Sequence, residues 1–122
     1  MKFEEQLKQD GFVDERNLWV TAVIKNNAGV WFGAIGAGIA SISKTRLISI
    51  KGTTVYILKP EKKVLKQVIQ FELHELKKFQ VKNAFFGIEY SLKIETIDFK
   101  EAYNINARKK VLKEMATIIN NK

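Results

Sequence analysis

His74 is the only histidine of the chain, and there is no cysteine. A metal site built on nitrogen and sulfur would need partners that this sequence does not offer. Glu72 and Glu75 lie close by but fall where the chain is expected to face solvent, so His74 reads as a surface or structural residue. Glu89 and Glu95 could form an acid–base pair by type. Their six-residue separation on an extended segment spans roughly 20 Å, too far for two carboxyls to cooperate. No serine stands in a G-x-S-x-G elbow. Gly33, Gly36 and Gly38 do not satisfy the dinucleotide-binding fingerprint, and no Lys-Ser or Lys-Thr follows them in the register of a phosphate loop. The expectation is a protein that is not an enzyme, with no catalytic residue, no metal and no cofactor.

Binding is the chemistry left. The formal net charge is +8, carried by 18 lysines but only three arginines. Residues 1–15 hold five acids and two bases, so the rest of the chain is more basic still, at +11. Such a field favours anionic partners, although the scarcity of arginine argues against geometric phosphate recognition. The bases collect in three places. Lys44, Arg46 and Lys51 share one expected strand and its turn; Lys59, Lys62 and Lys63 surround Pro60; Lys109, Lys110 and Lys113 open the last expected helix. Cations at a helix start oppose its macrodipole, so the third group hints at selection for an anionic partner. Lysines near an anionic bilayer contribute about 1 kcal/mol each. Nucleic acid is disfavoured, because the aromatics fall on faces expected to be buried and leave no stacking platform.

The second binding candidate is apolar. Asn26 to Ser43 reads NNAGVWFGAIGAGIASIS, eighteen residues without a charge in a chain that is 28% charged. It is too short and too diluted by glycine for a transmembrane span, which needs about 20 predominantly apolar residues. Three readings stand. It is an element of the core whose glycines permit close backbone approach; it is a helix packed on a partner chain; or it inserts Trp31, Phe32, Ile35 and Ile39 shallowly into a membrane interface.

The elements that would position these residues follow from periodicity. Residues 2–9 suit a short helix, with Phe3 and Leu7 on one face and Gly11 ending it. Asn17–Lys25 reads as a strand, with Leu18, Val20, Ala22 and Ile24 on one face and Trp19, Thr21 and Val23 on the other. Ser41–Lys51 and Thr54–Leu58 read as strands joined at Gly52. Lys59 to Lys63 reads as a charged turn, and Val64–Phe71 as the next strand. Leu73–Leu76 suits one turn, Lys78–Lys82 another extended run. Ile88–Thr96 alternates cleanly, Tyr90, Leu92 and Ile94 against Glu89, Ser91, Lys93 and Glu95. After Phe99–Ile105, Asn106 is a suitable N-cap for a helix from Ala107 to about Asn120. Its residues Val111, Leu112, Met115, Ile118 and Ile119 form one apolar stripe.

At 122 residues the chain is expected to hold one domain, large enough to bury a core without disulfides. The opening MKFEEQLKQDGF carries two early glutamates and no apolar run, so no signal peptide is expected and the location is expected to be cytoplasmic. Strands joined by short turns and followed by one helix favour an antiparallel meander that curls or packs to hide its edges.

This order resembles the bacterial pleckstrin-homology-like (PH-like) domains. Thr45-Arg46-Leu47-Ile48-Ser49-Ile50 resembles their T-x-x-R-L-I strand. Phe71 to Val81 (FELHELKKFQV) resembles the run that enters the middle of the domain. Phe86 to Thr96 (FGIEYSLKIET), before a strand and a helix, resembles the closing G-x-L-x-I-x-T strand. Together the three places span residues 41–120. The resemblance implies a mainly β fold: a bent antiparallel sandwich or barrel of seven strands, capped by one C-terminal helix and preceded here by a short N-terminal helix. Residues 1–16 would be a helical extension and 17–122 the domain. It also implies a binding module without fixing its ligand. Phosphoinositide-binding members place bases in the loop after the first strand. Here that loop is the uncharged 26–43 stretch, which argues against that headgroup site. The expected function is a PH-like interaction module of a bacterial cytoplasmic protein that engages a protein partner or itself. The alternative is a peripheral module on an anionic membrane surface. Contacts to an anionic partner would come from Lys44, Arg46, Lys59, Lys62, Lys63, Lys109 and Lys110, and contacts to a protein or membrane from Trp31, Phe32, Ile35 and Ile39.

Overall fold

Runs rich in β-branched and aromatic residues, separated by short turns, form seven antiparallel strands. A computed structural model describes residues 3–24, 44–61, 64–84, 89–105 and 107–121. Helix α1 (Phe3–Asp10) leads to β1 (Leu18–Ile24), β2 (Thr45–Lys51), β3 (Thr54–Glu61) and β4 (Val64–Glu72). A 3₁₀ turn at Leu73–Glu75 precedes β5 (Lys78–Ala84), β6 (Glu89–Glu95) and β7 (Lys100–Ile105), and helix α2 (Lys109–Asn120) follows. The strands make one sheet in the order β4-β3-β2-β1-β7-β6-β5. Two meanders, β1–β4 and β5–β7, are therefore joined by the pairing of β1 with β7 through Val23–Asn104 and Ile24–Tyr103. The mainly β fold with a terminal helix at each end of the sequence is as expected. Among the described residues no helix is long and apolar enough to cross a membrane.

The main core lies on one face of the sheet. Leu18, Val20 and Ala22 of β1, Ile48 and Ile50 of β2, Val55 and Ile57 of β3, and Leu92 and Ile94 of β6 meet there beneath Leu112, Met115 and Ile119 of α2. The apolar stripe of α2 thus has the role its spacing implies. The other face divides in two. Over β1–β4 it carries Trp19, Leu47, Leu58 and Leu65, covered by Leu7 of α1 and by Val13. Phe12 adds an edge-on contact to Tyr56 at 5.1 Å. Over β5–β7 it is polar and solvated. Hence β6 alternates strictly, while β1–β3 bury residues on both faces, as strands covered on both sides do.

Helix α1 is marginal alone by length. It is held by burial of Leu7, which is fully inaccessible, and by the segment after it. The Asp14 carboxylate accepts from the Gly52 N–H at 2.7 Å and from Arg16 Nη2 at 2.7 Å. Arg16 Nη2 also donates to the Gly52 carbonyl at 2.8 Å. This clasp ties the N-terminal segment to the β2–β3 hairpin, where Gly52 supplies the φ of +61° that the turn requires.

Several boundaries differ from the sequence expectation. Strand β3 continues through Lys59 and Pro60 to Glu61 instead of turning at Lys59. Pairing of β2 with β3 extends only to Leu47–Leu58, whereas Pro60 pairs with Leu65 of β4. Pro60 therefore stands where no N–H is needed on the β2 side. Strand β2 begins at Thr45; residues 41–43 lie outside the described part. Helix α2 begins at Lys109, two residues later than expected, because Arg108 has a left-handed φ of 54°. Asn106, the expected cap, lies outside the described residues.

Candidate functional site

The described members of the expected anion-contacting set fall on two separated surfaces. Lys44 and Arg46 stand where β1 ends and β2 begins, joined by the Ile24 N–H donating to the Lys44 carbonyl at 3.0 Å. Lys59 belongs to the same end of the sheet, since β3 leaves the Leu47–Leu58 pair toward it. It pairs with Glu61 at 3.6 Å and faces Lys66 across the β3–β4 ladder. Arg46 shares the face of Ile48 and Ile50 and donates through Nη1 to the Thr45 carbonyl at 2.9 Å. Its charge acts on Tyr103, whose fully buried hydroxyl donates to Glu101 Oε1 at 2.8 Å. Burial, that hydrogen bond and the Glu101 charge push the Tyr103 phenol above its ordinary range, with Arg46 opposing them. Beside this end a groove of about 560 Å³ is lined by Ile24, Lys78, Lys93, Lys100, Glu95 and Glu101. Its mixed charge selects no single sign of ligand.

Lys109 and Lys110 open α2 at the start of β1, a strand length away from Lys44 and Arg46, or roughly 20 Å. They join Lys113 there. The ammonium groups of Lys109 and Lys113 lie 5.9 Å and 5.5 Å from the centroid of the Tyr90 ring, within cation–π reach. Arg108, just before them, is turned inward. Its Nε donates to the Trp19 carbonyl at 2.7 Å and its Nη2 to the Asn17 carbonyl at 3.2 Å. Its guanidinium lies 4.0 Å from the centroid of the Trp19 ring. Asn17 in turn donates to Glu4 of α1 at 3.0 Å. Arg108 therefore joins α2, β1 and, through Asn17, α1. Lys62, Lys63, Trp31, Phe32, Ile35 and Ile39 lie outside the described residues.

His74 is exposed on the 3₁₀ turn. Glu72, expected at the surface, is half-buried and engaged. Its carboxylate accepts from the Thr54 hydroxyl at 2.6 Å and the Thr53 hydroxyl at 2.9 Å. These bonds, with a smaller effect of His74, lower its pKa. Glu75 accepts from the Glu72 N–H at 2.8 Å and closes the turn. Among the described residues no group of three or more histidines, aspartates and glutamates could hold a metal ion.

One further feature is absent from the sequence reading. Among the described residues strand β5 is the last of the sheet and pairs only with β6. Helix α2 runs beside it. Between them lie two adjoining cavities of about 450 Å³ and 190 Å³ that share Lys77, Lys78, Phe79 and Asn120. The larger adds Gln80, Val81 and Ala116, and the smaller Leu76 and Ile119. The result is a groove of mixed polar and apolar lining, bounded on one side by a strand edge and rimmed by lysine. KFQVK shows only a strand. That this strand is an edge follows from the order of pairing, which no local pattern reveals. Compared with family models, curated proteins and solved structures, the chain finds no match.

Proposed function

We propose that this chain is a non-enzymatic PH-like binding module, cytoplasmic and of the bacterial kind, that engages a protein partner. The observation that supports the reading is the edge of β5 beside α2, which has no second strand partner among the described residues. An unpaired strand edge is a template for a further strand, and a groove along it gives the incoming chain side-chain contacts. The ionisable groups with shifted pKa values support a binding rather than a catalytic reading. Asp14 and Arg16 clasp the hairpin, Glu72 fixes a turn, and Tyr103 is sealed in the core with Glu101.

Panning a random peptide library against the immobilised folded protein tests this. Enriched peptides that bind the free protein in solution support the module; a library that stays unenriched refutes it. A second copy of the chain is one candidate partner, since β4 is the other sheet edge and exposes Val64 and Val68. Analytical ultracentrifugation that finds only monomer through the high micromolar range removes that version.

The peripheral-membrane reading is favoured by one observation: Lys44, Arg46 and Lys59 gather where the chain leaves β1 and enters β2, the two ends connected by the uncharged stretch. Sedimentation with phosphatidylserine vesicles at two salt concentrations tests it, and absence of salt-sensitive binding removes it. Trp31→Ala and Phe32→Ala separate insertion from charge-driven attachment.

A further inference from the structure

We propose that the solvated face of β5–β7, on the side of the sheet away from α2, binds an extended segment of a partner protein that carries acidic residues at alternate positions. This rests on the binding-module reading and adds to it a second contact surface with its own ligand chemistry. The strands fix which residues share that face. Phe79 and Val81 of β5, Leu92 and Ile94 of β6, and Tyr103 and Ile105 of β7 face the core beneath α2, so the residues between them face the other way. By this alternation Lys82, Lys93 and Lys100, one from each strand and all exposed, share the outer face. Lys82 stands opposite Ser91 and Lys93 opposite Gln80 in one ladder. In the next, Lys93 stands opposite Ala102 and Lys100 opposite Glu95. Each step from Lys82 to Lys93 and from Lys93 to Lys100 is therefore one strand across and two residues along, in the same sense. The three lysines form a straight diagonal line with about 7–8 Å to each step.

The line is uncompensated. The carboxylates nearest its Lys100 end are already engaged, Glu95 by Lys78 at 3.5 Å and Glu101 by the Tyr103 hydroxyl at 2.8 Å. Glu89 stands opposite Ala84, off the line. Lys82, Lys93 and Lys100 have no ion-pair partner among the described residues. Cations spaced at about one Debye length in physiological salt repel one another until an anion joins them. The spacing selects the form of that anion. An extended chain carries alternate side chains on one side about 6.7 Å apart, close to the lysine step. Acids four apart on a helix are about 6 Å apart and lag further at each step. Gln80 and Asn104 flank Lys93 on the same face, and their amides can bond the backbone of the segment. Among the described residues this face holds no arginine and no aromatic ring, so neither a phosphate fork nor base stacking is offered. The acidic stretch of the same chain is engaged elsewhere, since α1 is seated over Leu47 and Leu65. An acidic segment fits the line and a basic one is repelled.

The test uses short fluorescein-labelled peptides on the full chain: one alternating glutamate with threonine, one of the same composition with its glutamates contiguous, and the lysine-for-glutamate counterpart of the first. The alternating peptide is expected to bind, less tightly as salt rises, and to shift the amide resonances of residues 91–93 and of Ala102. The contiguous peptide is expected to bind several-fold more weakly and the lysine peptide not at all. Lys93→Glu puts an acid at the centre of the line and should weaken binding about tenfold, with an unchanged circular dichroism spectrum and Tm. Lys77→Glu, beside α2, should bind as the parent does. Equal binding by the two glutamate peptides overturns the extended geometry. Unaltered binding by Lys93→Glu, or shifts confined to the β5–α2 groove or to Lys44, Arg46 and Lys59, overturns the site. Phosphatidylserine vesicles or a single-stranded oligonucleotide that bind through Lys93 more tightly than the alternating peptide overturn the ligand class. An enriched random library with no binding by the alternating peptide removes this proposal and leaves the module standing. An unenriched library removes the reading on which it rests.

Discussion

Arg108 bonds two backbone carbonyls and stacks on the Trp19 ring. It is the residue before the first turn of α2, and it holds a left-handed φ of 54°, which costs a non-glycine residue about 1 kcal/mol. Its side chain offsets that cost. A charge-assisted bond of 2.7 Å to the Trp19 carbonyl is reinforced by a longer one of 3.2 Å to the Asn17 carbonyl and by the stack on the Trp19 ring. Bonds to a charged group contribute about 1.5–3 kcal/mol, and the stack about 0.5–2 kcal/mol. The three share one guanidinium and do not add, so Arg108→Ala should cost about 2–4 kcal/mol. In a chain of this length that lowers Tm by roughly 10 °C. Arg108→Gly loses the same contacts but relieves the backbone, and should be about 1 kcal/mol better than the alanine variant. Arg108→Lys keeps the charge without the planar fork and should fall between parent and alanine. Urea denaturation followed by circular dichroism reads all three, with unchanged m-values confirming a two-state comparison. A loss under about 0.5 kcal/mol for alanine, a value typical of ordinary surface sites, would refute the clamp. A glycine variant no better than alanine would refute the backbone part.

Asp14 is held well below the usual carboxylate range, first by its hydrogen bonds from Arg16 and then by the Gly52 N–H. Its folded pKa is lowered, so the stability it contributes is fully present above about pH 4 and is lost as pH falls toward the folded value. Urea midpoints should therefore drop more steeply for the parent than for Asp14→Asn below pH 4, and parallel curves would contradict the clasp. Ser49 is the one buried polar side chain among the described residues, and its hydroxyl has no partner between Trp19 and Tyr56. Ser49→Ala should be neutral or stabilising by up to about 1 kcal/mol; a clear loss of stability would mean the hydroxyl is bonded. Leu7→Ala opens the cluster beneath α1 and should cost about 2–5 kcal/mol by equilibrium unfolding, whereas a cost near zero would mean that α1 frays.

What was legible in the chain is what local pattern encodes. Strict alternation in β6 marks a strand with one wet face, and Leu112, Met115 and Ile119 mark the buried stripe of α2. What escaped depends on partners distant in sequence. Pro60 looks like a turn until the end of β2 pairing shows that its missing N–H is harmless. Ala107 looks like the first helical residue until Arg108 is drawn 89 residues back to Trp19 and takes a left-handed backbone in doing so. Glu72 looks solvated until the hairpin brings Thr53 and Thr54 against it. The groove is the largest such case. Residues 78–82 read only as an extended run with Phe79 and Val81 on one face, and Lys77 and Ala116 belong to no pattern. Only the order of strands makes β5 an edge, and only the path of α2 puts an apolar wall beside it. The described lysines and arginine of the candidate sites, Lys44, Arg46 and Lys59 against Lys109 and Lys110, are divided by the fold between two ends of β1. Lys77 and Lys78, which line the groove beside α2, have an unremarkable sequence neighbourhood. Charge clustering along a chain and charge clustering in space are different quantities in a meander, because each strand sends adjacent residues to opposite faces and each hairpin reverses the direction of the chain.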